Sequence, residues 1–129
     1  YLANIVFILA FIGFGTKSGF VPFHNWLPDA HPAAPSHVSA VMSGVMIKTG
    51  IYGILRILSL IVIPSKLISF GVLIISLATA LYGVLYSISQ QDVKRFLAYC
   101  SIENIGIIGT GAGIGMLGQF CCGLCIAAF

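Results

Sequence analysis

Charge is what this sequence has least of. Asp29, Asp92 and Glu103 are its only acidic residues, and charged side chains of both signs make up 7% of the 129 residues. A soluble domain carries about a quarter. With 59% hydrophobic residues and a mean hydropathy of +1.09, a water-soluble fold is excluded. The six lysines and arginines are dispersed and form no stripe, so the net charge of +3 does not point to nucleic acid. No charged leader and small-residue cleavage site precede the first apolar run, which excludes a secretory signal peptide. No Ser-His-Asp constellation, zinc-ligand set or phosphate-binding loop is visible, so no catalytic site, metal or cofactor is expected in this chain. Cysteine is sparse: of Cys100, Cys121, Cys122 and Cys125, three lie in an apolar run and read as free, buried thiols. Cys122 and Cys125 have redox-motif spacing without the soluble βαβ context that motif needs.

What is present is long and apolar. The uncharged stretch 67–91 exceeds the roughly 20 residues a helix needs to cross the hydrocarbon core. A second, 104–129, is as long, and 1–16 is slightly short. The chain begins without Met and stops inside an apolar run, and is expected to be an internal fragment of an all-α, polytopic membrane protein. A first helix is predicted to about Ser18, stopped by Gly19 and Pro22. Prolines at 22, 28, 32 and 35 predict that 18–35 is not a regular helix. Pro35 suits the first turn of a second helix running through Lys48 to about Leu60, and Pro64 and Lys66 mark the next turn. A third helix covers 67 to about 89, and Asp92 is placed to cap a fourth. The stretch 96–129 is too long for one span, so Gly109, Gly111, Gly113, Gly115 and Gly118 are expected to divide it into a fourth helix and the start of a fifth. Gly113-x-Gly115-x-x-Gly118 has dinucleotide-binding spacing, but no strand precedes it and no acidic residue follows. Close helix packing, Gly109 with Gly113 and Gly111 with Gly115, accounts for these residues better.

Ionisable residues inside a span cost about 2.5 to 3.5 kcal/mol each near the centre, which makes Lys17, Lys48 and Glu103 candidates for function. Lys48 stands about a dozen residues into the second helix, roughly 16 Å along it. At 100° per residue it shares a face with His37, Val41, Gly44 and Tyr52, a stripe that would line a path. Burial disfavours the charged form of a lysine, which suits loading and releasing a proton. The structural alternative pairs Lys48 with Glu103 or with backbone carbonyls. Glu103, inside the fourth helix, calls for a cation, and Lys94 and Arg95 are further candidates. Lys17 either marks the end of a span or adjoins an intramembrane break, since non-helical backbone at that depth is tolerated only when buried or beside a water-filled cavity. The break holds His24, Asp29 and His31, all proton-capable. The alternative there is an interfacial loop with Trp26 as a belt residue. Ser36, Ser39, Ser43 and Thr49 either satisfy backbone groups or hold water, the former being commoner. Arg56 and Lys66 flank one turn and Lys94 and Arg95 the opposite one, so charge leaves the orientation a near tie.

Lys17-Ser-Gly-Phe-Val-Pro-Phe-His-Asn-Trp-Leu-Pro-Asp-Ala, Pro35-Ser-His-Val-Ser-Ala, Ile47-Lys-Thr-Gly-Ile-Tyr-Gly-Ile-Leu-Arg56 and Gln91-Asp-Val-Lys-Arg-Phe-Leu-Ala-Tyr99 together resemble the core of the antiporter-like membrane subunits. That family is shared by respiratory complex I, Mrp-type sodium/proton antiporters and group 4 hydrogenases. Ser101-Ile-Glu-Asn-Ile-Gly-Ile-Ile108 is most similar to the hydrogenase branch, which includes formate hydrogenlyase membrane subunits. The resemblance implies a fold of about fourteen helices with inverted repeats, of which this chain would hold part of the second. It implies that Lys17 is the lysine of a broken helix and Lys48 that of the next helix on a central hydrophilic axis. It also implies that the 90–95 turn faces the cytoplasm.

The expected function is therefore proton translocation across the inner (plasma) membrane by a subunit of a hydrogenase or NADH dehydrogenase-like complex. Lys17, Lys48, His24, His37 and Glu103 are the proton-handling candidates. Expected partners are the lipid bilayer, other membrane subunits, a soluble hydrogenase or dehydrogenase arm, and protons or sodium, with no nucleic acid. The alternatives are an independent monovalent cation/proton antiporter subunit and a non-conducting scaffold for soluble hydrogenase subunits.

Overall fold

The structure, a computed structural model, describes residues 1–61 and 65–128, with side chains described up to Gly118. Its elements are helices α1 (Leu2–Ser18), α2 (Trp26–Ala33), α3 (Ser36–Val41), α4 (Ile47–Leu60), α5 (Lys66–Ile88) and α6 (Val93–Ala128), with a π turn, Met42–Met46, joining α3 to α4. No strand occurs among the described residues. Among the described residues three segments, Ser36–Leu60, Lys66–Ile88 and Val93–Gly118, are long and apolar enough to cross a bilayer, and Leu2–Ser18 is a shorter apolar helix.

The packing is inverted relative to a soluble protein. On α5 the buried positions are Ser69, Val72, Ser76, Thr79, Gly83 and Ser87, while Leu67, Phe70, Ile74, Leu77, Leu81, Leu85 and Ile88 are exposed. Hydroxyl and small side chains face neighbouring helices and large apolar ones face outward, the arrangement a lipid solvent selects.

Helices α5 and α6 form an antiparallel hairpin joined by the polar 89–92 turn, with the carbonyl of Asp92 accepting from Phe96 N–H at 2.9 Å. Their contact is set by glycine. A methyl group added at Gly83 would lie 2.7 Å from the Glu103 backbone nitrogen, one at Gly113 3.2 Å from Leu73, and additions at Gly106 and Gly109 would collide with Ala80 and with Ser76 and Phe20. Gly111, Gly115 and Gly118 meet nothing. One of the two predicted glycine pairs, Gly109 with Gly113, therefore packs as expected, and the other faces outward. The expected division of the C-terminal stretch does not occur: α6 is continuous through Ala128. Isolated glycines cost a helix about 1 kcal/mol each, and on the packed face the close approach they permit compensates. The Gly113-to-Gly118 run accordingly lies within a helix, without the strand-to-helix turn a dinucleotide site requires. Pro64 and the side chains of Cys121, Cys122 and Cys125 lie outside the described residues.

Helix α1 ends where predicted: Gly19 adopts φ 87° and donates to Gly15 O at 2.9 Å, a left-handed termination that suits glycine. Helix α4 packs on α1 through Gly50, which meets Phe14 O and Ser18, and Gly53, which meets the Phe14 ring. The core gathers Phe20, Leu27, Ile47, Ile51, Ile54, Ile102 and Ile105, so Phe20 of the break and the first buried residue of α2 lock against α4 and α6.

The region between α1 and α3 departs from the proline-based expectation. Residues 19–25 are turns, but Trp26–Ala33 is helical despite Pro28 and Pro32. Pro28 falls in the first turn, where its missing N–H has no partner to lose, and Pro32 stands next to the C-terminal residue, so only one bond is forfeited.

Candidate functional site

Two contacts fix the depth of the break. Val21 N–H donates to Thr79 Oγ1 at 3.2 Å, and the His24 ring meets Tyr82 with centroids 4.4 Å apart. Thr79 is thirteen residues from the start of α5 and nine from its end, about 20 Å and 14 Å at 1.5 Å per residue. The non-helical backbone thus lies alongside the middle of a spanning helix. From there α2 runs to the N-terminal end of α6, where Arg95 Nη2 lies 3.5 Å from Asp29 Oδ1 and Lys94 Nζ donates to Ala34 O at 3.3 Å. Asp29, read as proton-capable, is an exposed partner of Arg95. Trp26 Nε1 donates to Thr16 O at 2.9 Å, tying the start of α2 back to the end of α1.

His24 in the break and His31 on α2 are buried, 5% and 3% exposed, and burial pushes the His31 imidazole below the usual histidine range by disfavouring the charged ring. His31 Nδ1 lies 2.7 Å from Ser39 Oγ. Its Nε2, like His24 Nδ1, is buried without a partner among the described residues.

Ser39 opens a polar line. A cavity of about 500 Å³ is lined by His31, Ser36, Ser39, Ala40, Ser43, Gly44, Lys94, Leu97, Cys100, Ser101 and Asn104. A second, of about 420 Å³, is lined by Ser43, Ile47, Lys48, Ser101, Asn104 and the isoleucines 105, 107 and 108. Ser43, Ser101 and Asn104 belong to both, and Ser43 Oγ lies 3.1 Å from Ser101 Oγ. Hydroxyl and amide groups therefore connect His31 at one end to Lys48 at the other.

The π turn makes this alignment. Ile47 N–H bonds to Met42 O, five residues back, so one extra residue is accommodated and everything after it is rotated relative to α3. The expected face of His37, Val41, Gly44, Lys48 and Tyr52 rests on uninterrupted 100° steps and is broken here. His37 and Val41 are exposed and line neither cavity. Ser36, Ser39 and Ser43 follow at steps of three and four, and Lys48 comes five later, one π turn on. Insertions of this kind recur at functional sites. Ser39 and Ser43 thus bond to side chains, whereas Thr49 Oγ1 donates to Met46 O at 2.6 Å, the commoner of the two roles expected for these residues.

The remaining candidates are placed as follows. Lys48 lines its cavity with an exposed side chain, so the burial expected of this lysine is not found among the described residues. Lys17, in the last turn of α1, is exposed and lines neither cavity; a cation there complements the helix dipole. Glu103 is half-buried against Gly83. Arg95 pairs with Asp29, and among the described residues the expected pairing of Glu103 with Lys48, Lys94 or Arg95 is not formed. Asn104, the next residue, faces both cavities instead. Sequence reasoning missed Ser101 as a lining residue, and its three-residue spacing from Asn104 on one helix face was the available signal. No cluster of three histidine, cysteine or acidic residues occurs among the described residues.

Interrupted apolar helices and buried hydroxyls define an α-helical, multi-pass membrane protein. Residues 1–125 match the profile of the family described as NADH:quinone oxidoreductase/Mrp antiporter, transmembrane, and the chain belongs to that family. Over 120 residues it is 51% identical to hydrogenase-4 component B of Escherichia coli K12, covering 91% of this chain and 18% of that protein. It is 39% identical over 118 residues to formate hydrogenlyase subunit 3 of the same organism, covering 91% and 19%, and 36% identical over 113 residues to NADH-quinone oxidoreductase subunit M of Rickettsia typhi, covering 86% and 23%. The chain thus spans about a fifth of the length of these curated relatives.

Proposed function

We propose that this chain carries part of the proton-conducting axis of a membrane subunit in a hydrogenase or NADH dehydrogenase-like redox complex of the plasma membrane. The observation that carries this reading is the pair of cavities sharing Ser43, Ser101 and Asn104, which link Lys48 to His31 by side chains able both to donate and to accept. Lys48 is the group that loads and releases a proton at mid-span. Lys17, beside the break, is its counterpart on the preceding helix. His31, which lines the larger cavity, stands where water-borne protons enter or leave, His24 handles protons within the break, His37, next to cavity-lining Ser36, collects protons at the mouth, and Glu103 supplies negative charge near the route. The names of the relatives support the redox assignment, since hydrogenase-4, formate hydrogenlyase and NADH-quinone oxidoreductase are all redox systems.

The test uses the intact complex in sealed vesicles. Arginine keeps a positive charge but stays protonated at every accessible pH. If Lys17 and Lys48 exchange protons, Lys17→Arg and Lys48→Arg stop driven proton uptake as fully as the alanine variants do. Transport retained in the arginine variants and lost in the alanine variants would make both residues fixed countercharges and refute the relay.

A further inference from the structure

On the α5 side of α6, away from the passage to Lys48, the break carries a second polar construction. His24 is 5% exposed, its Nδ1 has no partner among the described residues, and its ring stands edge-on to Tyr82 at 4.4 Å. Tyr82 stacks on Tyr86 with centroids 4.1 Å apart, and Tyr86 stacks on Tyr99 of α6 at 5.8 Å. Tyr82 is half-buried, whereas Tyr86 is 44% exposed and lies two residues from the end of α5. The tyrosines thus form a ladder from the 89–92 turn to a buried imidazole.

Packing alone does not account for this choice of residues. A buried, unsatisfied ring nitrogen costs about 1–3 kcal/mol, and leucine or phenylalanine would fill the slot without that cost. Three phenylalanines would stack as well as three tyrosines. What the chosen residues add is a chain of groups that each give and take a proton.

We propose that His24 is a second proton-exchange group, reached from the α5–α6 turn through the hydroxyls of Tyr86 and Tyr82, on a branch separate from the passage to Lys48. In one inward step Tyr82 passes its hydroxyl proton to the imidazole as it receives one from Tyr86, which takes one from a hydronium ion at the turn and leaves neutral water. Both phenols end neutral and the imidazole ends with one positive charge. The titratable group His24 meets is Tyr82, with Tyr86 and Tyr99 behind it. This branch rests on the proton-translocation reading but not on Lys48.

The experiment measures driven proton translocation by the intact complex in vesicles for Tyr82→Phe, Tyr86→Phe and His24→Gln, with Lys48→Ala alongside and assembly checked for each. Phenylalanine keeps the ring stack and removes one hydroxyl, so a purely structural ladder would not respond. The expected result is a loss on the order of tenfold or more for Tyr82→Phe and His24→Gln, within the range for removing a proton-transfer group, and a smaller loss for Tyr86→Phe, whose site water can reach. Should His24→Gln fail to assemble, Tyr82→Phe decides. Wild-type rates in Tyr82→Phe overturn the branch. Loss in Lys48→Ala with wild-type rates in the tyrosine variants removes this proposal and leaves the passage, and the reverse pattern removes the passage and leaves the branch.

Discussion

The α5–α6 hairpin, two spans, and the α3–α4 segment, one span of about the same length as each of them, are built on opposite plans. The hairpin is held by glycines at Gly83, Gly106, Gly109 and Gly113 that bring backbones into contact, and its hydroxyls turn inward to bond their own helix, as Thr79 does to Ile75 O at 2.7 Å and Ser87 to Val84 O at 2.8 Å. The α3–α4 span has an extra residue in its middle, cavities along its side and serines that bond to other side chains. Close packing leaves no room for water; a helix that cannot close its own ladder regularly leaves both room and polar groups. The hairpin is the scaffold and, through Ser101 and Asn104, one wall of the passage, while the interrupted span supplies the other wall. The break at 19–25 binds the two, docking through Val21 on Thr79 while α2 leads to His31.

The comparison breaks most severely if the hairpin is forced apart. Gly106→Leu places a side chain into the backbone at Ala80, and a loss of several kcal/mol, beyond the roughly 1–3 kcal/mol usual for overpacking, is expected to abolish assembly as read by size-exclusion chromatography. Gly111→Leu, on the open face, is expected to change thermal stability by about 0.5 kcal/mol or less. Equal effects in the two variants would contradict the assignment of the packed face.

On the interrupted side the expected effects fall on transport more than on stability. Ser43→Ala together with Ser101→Ala removes the hydroxyl pair shared by both cavities. Stability is expected to change by about 1 kcal/mol, while proton uptake by vesicles falls severalfold. A smaller effect is pH-dependent. His31 is held below the ordinary histidine value by burial, so the unfolded chain binds the extra proton first, and stability rises with pH in that window. Thermal stability is therefore expected to decline as pH falls below about 6.5, with less decline in His31→Gln. An unchanged slope in that variant would remove His31 as the source. The smallest effect belongs to the Arg95–Asp29 pair. At 46% and 78% side-chain exposure, a double-mutant cycle is expected to return a coupling under about 1 kcal/mol.

How much of this was legible in the sequence depended on whether a local rule decided the outcome. The ends of α1 and α5, the turn before α6 and the membrane class follow from Gly19, from the polar 89–92 stretch and from uncharged runs, each a signal contained within a few residues. The polar face beside Lys48 was misread, because a π turn leaves no signature in 100° periodicity and Met42 to Met46 look like any apolar helix. Helix α2 was missed because proline penalties depend on the position within the helix, which the sequence did not reveal. The packed and open glycines of α6 look alike in sequence; only the position of α5 distinguishes them. Side-chain partners for the serines were not foreseen, because those partners, His31 and Ser101, are eight and fifty-eight residues away.

The central claim is that an aqueous, proton-conducting passage runs from the break to Lys48 along the serine face of α3. Thiol accessibility tests it most directly. In a Cys100→Ser background of the intact complex, because Cys100 itself lines the larger cavity, single cysteines are introduced as Ser43→Cys and, on the outward face of α5, Ile74→Cys. A small charged thiol reagent is then added from each side of the membrane while proton uptake is followed. The account predicts that Ser43→Cys reacts and that its modification blocks proton uptake, whereas Ile74→Cys remains unreactive. A Ser43→Cys protein that is unreactive from both sides, or that is fully modified yet still transports protons at the unmodified rate, would contradict the account.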